Sequence, residues 1–431
     1  MNEDHSMPPG LDPALFRGLT QRRMSRRDVL RYAGTGAGAL GLSAFLAACG
    51  VSGTANKPTT APATSGGGTG TPSVDELAAF WDQQTIAGQL NFANWPYYID
   101  FSREAGHKSR PSIDKFTQET QIEVNYQPVI QGVDTFFATI QPSLAAGQDT
   151  GWDIMVITNG TTLDKLIALD YLIPLDHSRT PNFNQYGSPS VTDPSYDPGA
   201  AHTMAWQSGY TGIGYNPKLT GREITSINDL NDPAFEGKIG MFADNADLPT
   251  FGLLVTGAVP ETSTPDQWQA AADWLNQQRP LVRKYYEQGY IDALQNGDTW
   301  ITMAWSGDIY QSNLLGFPDL KFVIPSEGGA LWTDNMCIPQ KAQHPLDALT
   351  YMDFVYRPDV AALIADWVTY ITPVPAAKDI ILNDLQDPAV ANSPLVFPEE
   401  ADLAKGHRYY VFKSEEEEQA WNDIFQPIYQ S

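Results

Sequence analysis

Four short segments place aromatic side chains beside carboxylates or turn residues: Asn94-Trp95-Pro96-Tyr97-Tyr98, Asp244-Asn245-Ala246-Asp247, Ala304-Trp305-Ser306-Gly307-Asp308 and Leu331-Trp332-Thr333-Asp334. Two chemistries use such residues. Two carboxyls at a fixed separation, one with a raised pKa, hydrolyse glycosidic bonds, and the candidates are Asp244 with Asp247 or Asp308 with Asp334. Alternatively, Trp and Tyr faces attract a cation by roughly 0.5 to 2 kcal/mol, while carboxylates hold ammonium groups as point charges. Flat aromatic walls beside carboxylates suit an aliphatic amine. Other chemistries find little support. The six histidines are scattered without an HExxH motif, so no metal site is expected. There is no G-x-S-x-G elbow and no phosphate-binding glycine loop, and Gly212-Ile213-Gly214 is too short for a dinucleotide fingerprint, so no cofactor is expected.

Each of these segments falls at or near the end of a predicted strand. Strands are predicted at 122–126, 153–157, 212–215, 239–242, 302–305, 321–324 and 335–338, and helices at 163–169, 265–277, 281–288, 345–356 and 358–367. The alternation is that of an α/β chain. In such sheets ligands bind outside the carboxyl ends of strands, so the aromatic and acidic segments converge on one crevice if the strands share a sheet.

The amino-terminal part has a different character. Ser25-Arg26-Arg27-Asp28-Val29-Leu30-Arg31 precedes a small-residue apolar stretch that ends at Leu46-Ala47-Ala48-Cys49, the pattern of a twin-arginine lipoprotein signal over residues 1–48 with Cys49 as the lipid acceptor. Gly, Ser, Thr, Ala and Pro dominate 49–73, a composition that cannot bury a core and reads as a flexible tether. The folded sequence from 74 onward is long enough for two lobes around two cores. The expected location is the outer face of the cytoplasmic membrane, anchored by lipid only, because no later apolar run reaches the roughly 18 residues of a span.

The net charge is −25, and residues 1–48 hold six basic and four acidic side chains, so the remainder carries −27. Such a surface repels nucleic acid and favours solubility. With only Cys49 and Cys337 present, no disulfide framework exists, and Cys337, within Met336-Cys337-Ile338, reads as a buried small hydrophobe.

From about residue 90 to 378 the chain resembles bacterial extracellular solute-binding proteins of the spermidine/putrescine type. The resemblance rests on Asn94-Trp95 with Tyr98, Gly151-Trp152-Asp153-Ile154, Gly212-Ile213-Gly214-Tyr215-Asn216, Ala304-Trp305-Ser306-Gly307, Pro325-Ser326-Glu327-Gly328-Gly329 leading into Trp332-Thr333-Asp334, and Arg357-Pro358-Asp359-Val360-Ala361. It implies a periplasmic-binding-protein-like α/β fold of two lobes, joined by hinge crossovers around an interlobe cleft: 74–210 with 330–372 in the first lobe, 211–329 with 373–431 in the second. It also implies a monomeric receptor, not an enzyme, that captures a polyamine by lobe closure and delivers it to ABC permease subunits. Carried over by position, Trp95 and Tyr98 line the cleft from the first lobe, Trp305 walls the methylene chain, Trp332 and Asp334 form an ammonium site, and Asp244 and Asp247 supply acids from the second lobe. Two positions depart from the family pattern. Asp247 stands where a longer Glu is usual, and the loop bearing Thr158 and Asn159, also expected at the ligand, lacks the aromatic of polyamine binders. A receptor for another small solute and an exported glycan hydrolase remain the competing readings.

Overall fold

The computed structural model describes residues 73–102 and 109–430; the signal segment, the tether and Cys49 lie outside them. Among the described residues ten strands form one curled sheet: β1 Gln89–Ala93, β2 Glu123–Gln127, β3 Ile154–Thr158, β4 Met204–Tyr215, β5 Ile239–Phe242, β6 Val282–Tyr286, β7 Ile301–Trp305, β8 Lys321–Val323, β9 Gly329–Cys337 and β10 Gly406–His407. Their order is β2-β1-β3-β9-β4-β7-β5-β6, with β10 on β9 and β8 on β4. The outer groups β2-β1-β3 and β7-β5-β6 are parallel, and β9 and β4 run antiparallel between them.

Composition explains this layering. β3 reads Ile-Met-Val-Ile-Thr and β5 reads Ile-Gly-Met-Phe, continuous apolar runs that need helices over both faces, as parallel strands do. β4 and β9 are longer, and each pairs with three other strands. The stretch of β4 from Met204 to Thr211 pairs with almost all of β9, from Met336 back to Ala330, while its last five residues pair with β7. β9 in turn joins β3 through Thr158↔Asp334 to Met155↔Cys337. The apolar residues beside β1–β3 and those beside β5–β7 accordingly gather in separate cores, and Trp305 packs against both. This is the two-lobed α/β architecture with two strands crossing between the lobes.

Most of the predicted elements recur, with three differences. The 281–288 segment, expected as a helix, contains β6: Val282-Arg283-Lys284-Tyr285-Tyr286 is β-branched and aromatic, and it pairs with β5. β4 and β9 extend well before 212 and 335, because strands shared by two lobes alternate apolar and polar residues less regularly. The 373–431 segment, expected to go with the second lobe, divides in its packing. Val374, Ala377, Ile381, Val390 and Val396 join the core beside β1, whereas Tyr410, Trp421, Phe425 and Ile428 join the core beside β5.

Candidate functional site

Two helices start at the crevice and bring acids with them. At the helix Asp247–Val255, Asp244 Oδ1 accepts from the N–H groups of Ala246 (2.8 Å) and Asp247 (2.6 Å), closing the turn that begins the helix. Asp247 is then the first residue of the helix, where the exposed N–H groups favour an anion. Strand β7 ends at Trp305, and the helix Ser306–Leu314 begins immediately with Asp308 in its first turn.

The third acid comes from a crossing strand. Trp332 and Asp334 are two residues apart in β9, so they project from the same face of the sheet. Thr158, paired opposite in β3, donates its hydroxyl to Asp334 Oδ1 at 2.5 Å.

Aromatic side chains link these carboxylates into one network. Tyr290 and Tyr370 donate to the two oxygens of Asp308 at 2.7 and 2.8 Å. Tyr370 stands edge-on to Tyr98 and leans on Trp332, with ring centroids 5.3 and 5.4 Å apart. Trp305 donates its indole N–H to Asp247 Oδ2 (3.2 Å), and Tyr409 donates its hydroxyl to Asp247 Oδ1 (2.7 Å). Two glycines make room for the rings: a methyl group would lie 2.6 Å from the Trp332 ring at Gly209 and 2.4 Å from the Tyr370 ring at Gly307.

The electrostatics are those of a site short of positive charge. Asp247 and Asp334 are each only 5% exposed, and Asp308 keeps partial solvent access. Among the described residues no lysine, arginine or histidine pairs with any of the three. Burial pushes the carboxyl of Asp334 up to about 6 against the opposing hydrogen bond from Thr158, and Asp247 adds its like charge. Burial also raises Asp308 and Asp247. Asp244, half-buried, is raised by desolvation and then by the Asp247 charge. The Tyr98 hydroxyl, buried without a well-formed hydrogen bond, is pushed far up by burial and by the nearby Asp334.

Of the residues expected from sequence, Tyr98, Thr158, Asp247, Trp305, Trp332 and Asp334 meet in this network. Trp95 is half-buried at the edge of the same lobe, its indole N–H on Val156 O at 3.1 Å. Asn159 continues the β3–β9 ladder, exchanging bonds with Thr333 N (2.7 Å) and Thr333 O (2.9 Å), so its amide oxygen and backbone are already engaged. Asp244 spends one oxygen on its turn. Sequence reasoning placed Asp308 in one of the aromatic and acidic segments but named it individually only as a hydrolytic acid, and it did not find Tyr290, Tyr370 or Tyr409. The position of Asp308, three residues after Trp305 at a helix start, was the available signal. For Tyr409 there was none: its ring lies over Gly160, beside the loop that lacks an aromatic of its own.

Among the described residues no group of three or more His, Cys, Asp or Glu side chains is arranged to hold a metal ion, and no helix is long and apolar enough to cross a membrane. Cys337 is buried in β9. A surface concavity of about 290 Å³ beside His177 and Phe183 shares no residue with the acidic network.

Residues 112–398 match the family model described as bacterial extracellular solute-binding protein. The spermidine/putrescine-binding periplasmic protein of Salmonella typhimurium is 27% identical over 319 residues, covering 74% of this chain and 85% of the relative. The putrescine-binding periplasmic protein SpuD of Pseudomonas aeruginosa is 28% identical over 337 residues, with 73% and 85% covered. Among solved structures, one from Listeria monocytogenes ascribed to a spermidine/putrescine ABC transporter superposes with a TM-score of 0.68 at 26% identity, covering 79% of this chain and 99% of that one. The substrate-binding protein PotD of Streptococcus pneumoniae shares the fold, with a TM-score of 0.65 at 23% identity and 79% and 98% covered. These relatives are transport receptors and not enzymes, which sets the hydrolase reading aside. The chain belongs to the bacterial extracellular solute-binding proteins, and it is a solute-binding protein of an ABC importer.

Proposed function

We propose that this receptor binds a polyamine or similar small organic cation between its lobes and hands it to ABC permease subunits. One observation carries the reading: Asp247, Asp308 and Asp334 belong to one aromatic network without a cationic partner among the described residues, and burial weighs against their ionised forms. Uncompensated buried charge is unfavourable, and ammonium groups relieve it while the faces of Trp305 and Trp332 pack on the methylenes. Trp95 and Tyr98 serve the first lobe, Thr158 and Asn159 hold the loop and strand behind Asp334, and Asp244 fixes the turn that presents Asp247. The relatives' polyamine names agree with this chemistry.

Binding draws the lobes together, because carboxylates that reach the amine only on closing supply the difference in affinity that shifts the equilibrium. The protein acts as a monomer, exported by the twin-arginine signal and held by lipid on Cys49 at the outer face of the membrane. Titration calorimetry with diamines, triamines, amino acids and sugars tests the ligand class: the amines alone bind, and a sugar or amino acid binding more tightly overturns it. Small-angle scattering tests closure, with a smaller radius of gyration at saturating amine. Detergent phase partitioning of Cys49→Ala tests the anchor, the variant leaving the lipid phase.

A further inference from the structure

The segment around Tyr409 bridges the two lobes at the site, and the Tyr409 ring itself packs against the first lobe's core. Val396 is its last fully buried residue in the first lobe's core; the segment then adds β10 to β9 through Gly406↔Gly329 and His407↔Ala330, and enters the second lobe's core at Tyr410. Between those anchors Tyr409 spans the crevice. Its ring lies 3.7 Å from where a methyl on Gly160 would sit, after β3, and its hydroxyl bonds Asp247 Oδ1, at the start of a helix beside β5. Asp247 is bonded by Trp305 from the end of β7 and by Tyr409 from the strap after β10, and the Tyr409 ring also reaches Gly160 on the side of β3.

We propose that Tyr409 determines ligand length: its ring closes the crevice between Gly160 and Asp247, so that a diamine held by Asp308 and Asp334 fits and a longer polyamine does not. The inference rests on the amine reading above. The ring, and not the hydroxyl, is the barrier, since a carboxylate oxygen that accepts one hydrogen bond retains capacity for another.

The segment is fixed independently of the Tyr409 side chain. Its neighbour Arg408 donates its N–H to Glu261 Oε1 at 2.7 Å, Tyr410 stacks on Trp421 with centroids 5.6 Å apart, and Lys165 pairs with Glu418 at 2.7 Å. Tyr409→Ala therefore removes the barrier and leaves the strap in place, and Tyr409→Leu serves the same test if alanine loosens it.

Calorimetry of the native protein, Tyr409→Ala and Tyr409→Phe with 1,4-diaminobutane and spermidine decides the matter. The native protein prefers the diamine. Tyr409→Ala raises the spermidine-to-diamine affinity ratio by about tenfold or more, the scale on which pocket shape discriminates, and Tyr409→Phe keeps the native ratio. A ratio unchanged in Tyr409→Ala, or shifted equally in Tyr409→Phe, overturns this role while amine binding stands. A native protein that binds neither amine overturns the amine reading itself.

Discussion

The hydroxyl of Tyr370 donates to Asp308 Oδ1 at 2.8 Å while the Tyr370 ring lies directly over Gly307, one residue before that aspartate. Tyr370 follows the helix Pro358–Val368, in the core beside β1, and Asp308 belongs to the helix that starts after β7. One side chain thus ties the two sides of the crevice at an acid and at a glycine.

Gly307→Ala tests that tie. The added methyl would come within 2.4 Å of the ring, so Tyr370 must move away from Asp308. Overpacking of this kind costs about 1–3 kcal/mol. Chemical denaturation should show that loss, and calorimetry should show weaker amine binding.

Asp308→Asn separates charge from shape. The amide keeps both tyrosine contacts, because a hydroxyl accepts as readily as it donates. Amine affinity should fall by about tenfold or more, as it does when one partner of a desolvated charge pair is neutralised. The melting temperature of the free protein should not fall, since an uncompensated charge has been removed.

Protonation of Asp334 links binding to pH. Its carboxyl titrates near 6 in the free folded protein against an ordinary 3.8. Between those values the folded form holds a proton that the unfolded chain releases, so this group adds stability in acid and withdraws it as pH rises through 6. At neutral pH the ionised free site bears a penalty of about 3 kcal/mol. Amine binding needs the ionised form and follows the opposite trend: affinity is level above about pH 7 and falls by up to about tenfold per pH unit in acid, below the point where Asp334 takes up its proton. Calorimetry across that range, in buffers of different ionisation enthalpy, should detect proton release on binding that grows as pH falls from 7 through 6.

Asp244→Ala removes the side-chain acceptor of the turn before the helix Asp247–Val255. The loss should be about 1 kcal/mol, the usual net weight of such a hydrogen bond. Asp244→Asn keeps the acceptor oxygen and should preserve stability in thermal unfolding.

The α/β layering was legible because it depends on local pattern, apolar runs for buried strands, whereas Asp247 and Asp334 were singled out by aromatic and acidic neighbours and by the family resemblance, the strand that places Trp332 and Asp334 on one face having been expected only from 335. The helix expected at 281–288 failed because Val282–Tyr286 contains few apolar residues, and only the partner strand β5 turns it into an edge strand. Tyr290, Tyr370 and Tyr409 escaped notice for another reason. Each reaches its carboxylate from a separate part of the chain, and no spacing records that proximity. Asn159 resembled a ligand contact in sequence because a polar loop residue gives no sign that a strand partner, here Thr333, already holds its amide oxygen.

The placement of β9 between β3 and β4 has a consequence for how the molecule is made. Thr158 and Asp334 are hydrogen-bonded neighbours separated by 176 residues. During synthesis, β3 emerges from the ribosome long before the strand that covers its edge, and β4 waits likewise for its partner. Neither lobe completes its sheet until the chain has passed Cys337, so the two form together and late. Pairing over such separations makes folding slow and leaves open strand edges in the interval, which is when this receptor most needs protection from aggregation.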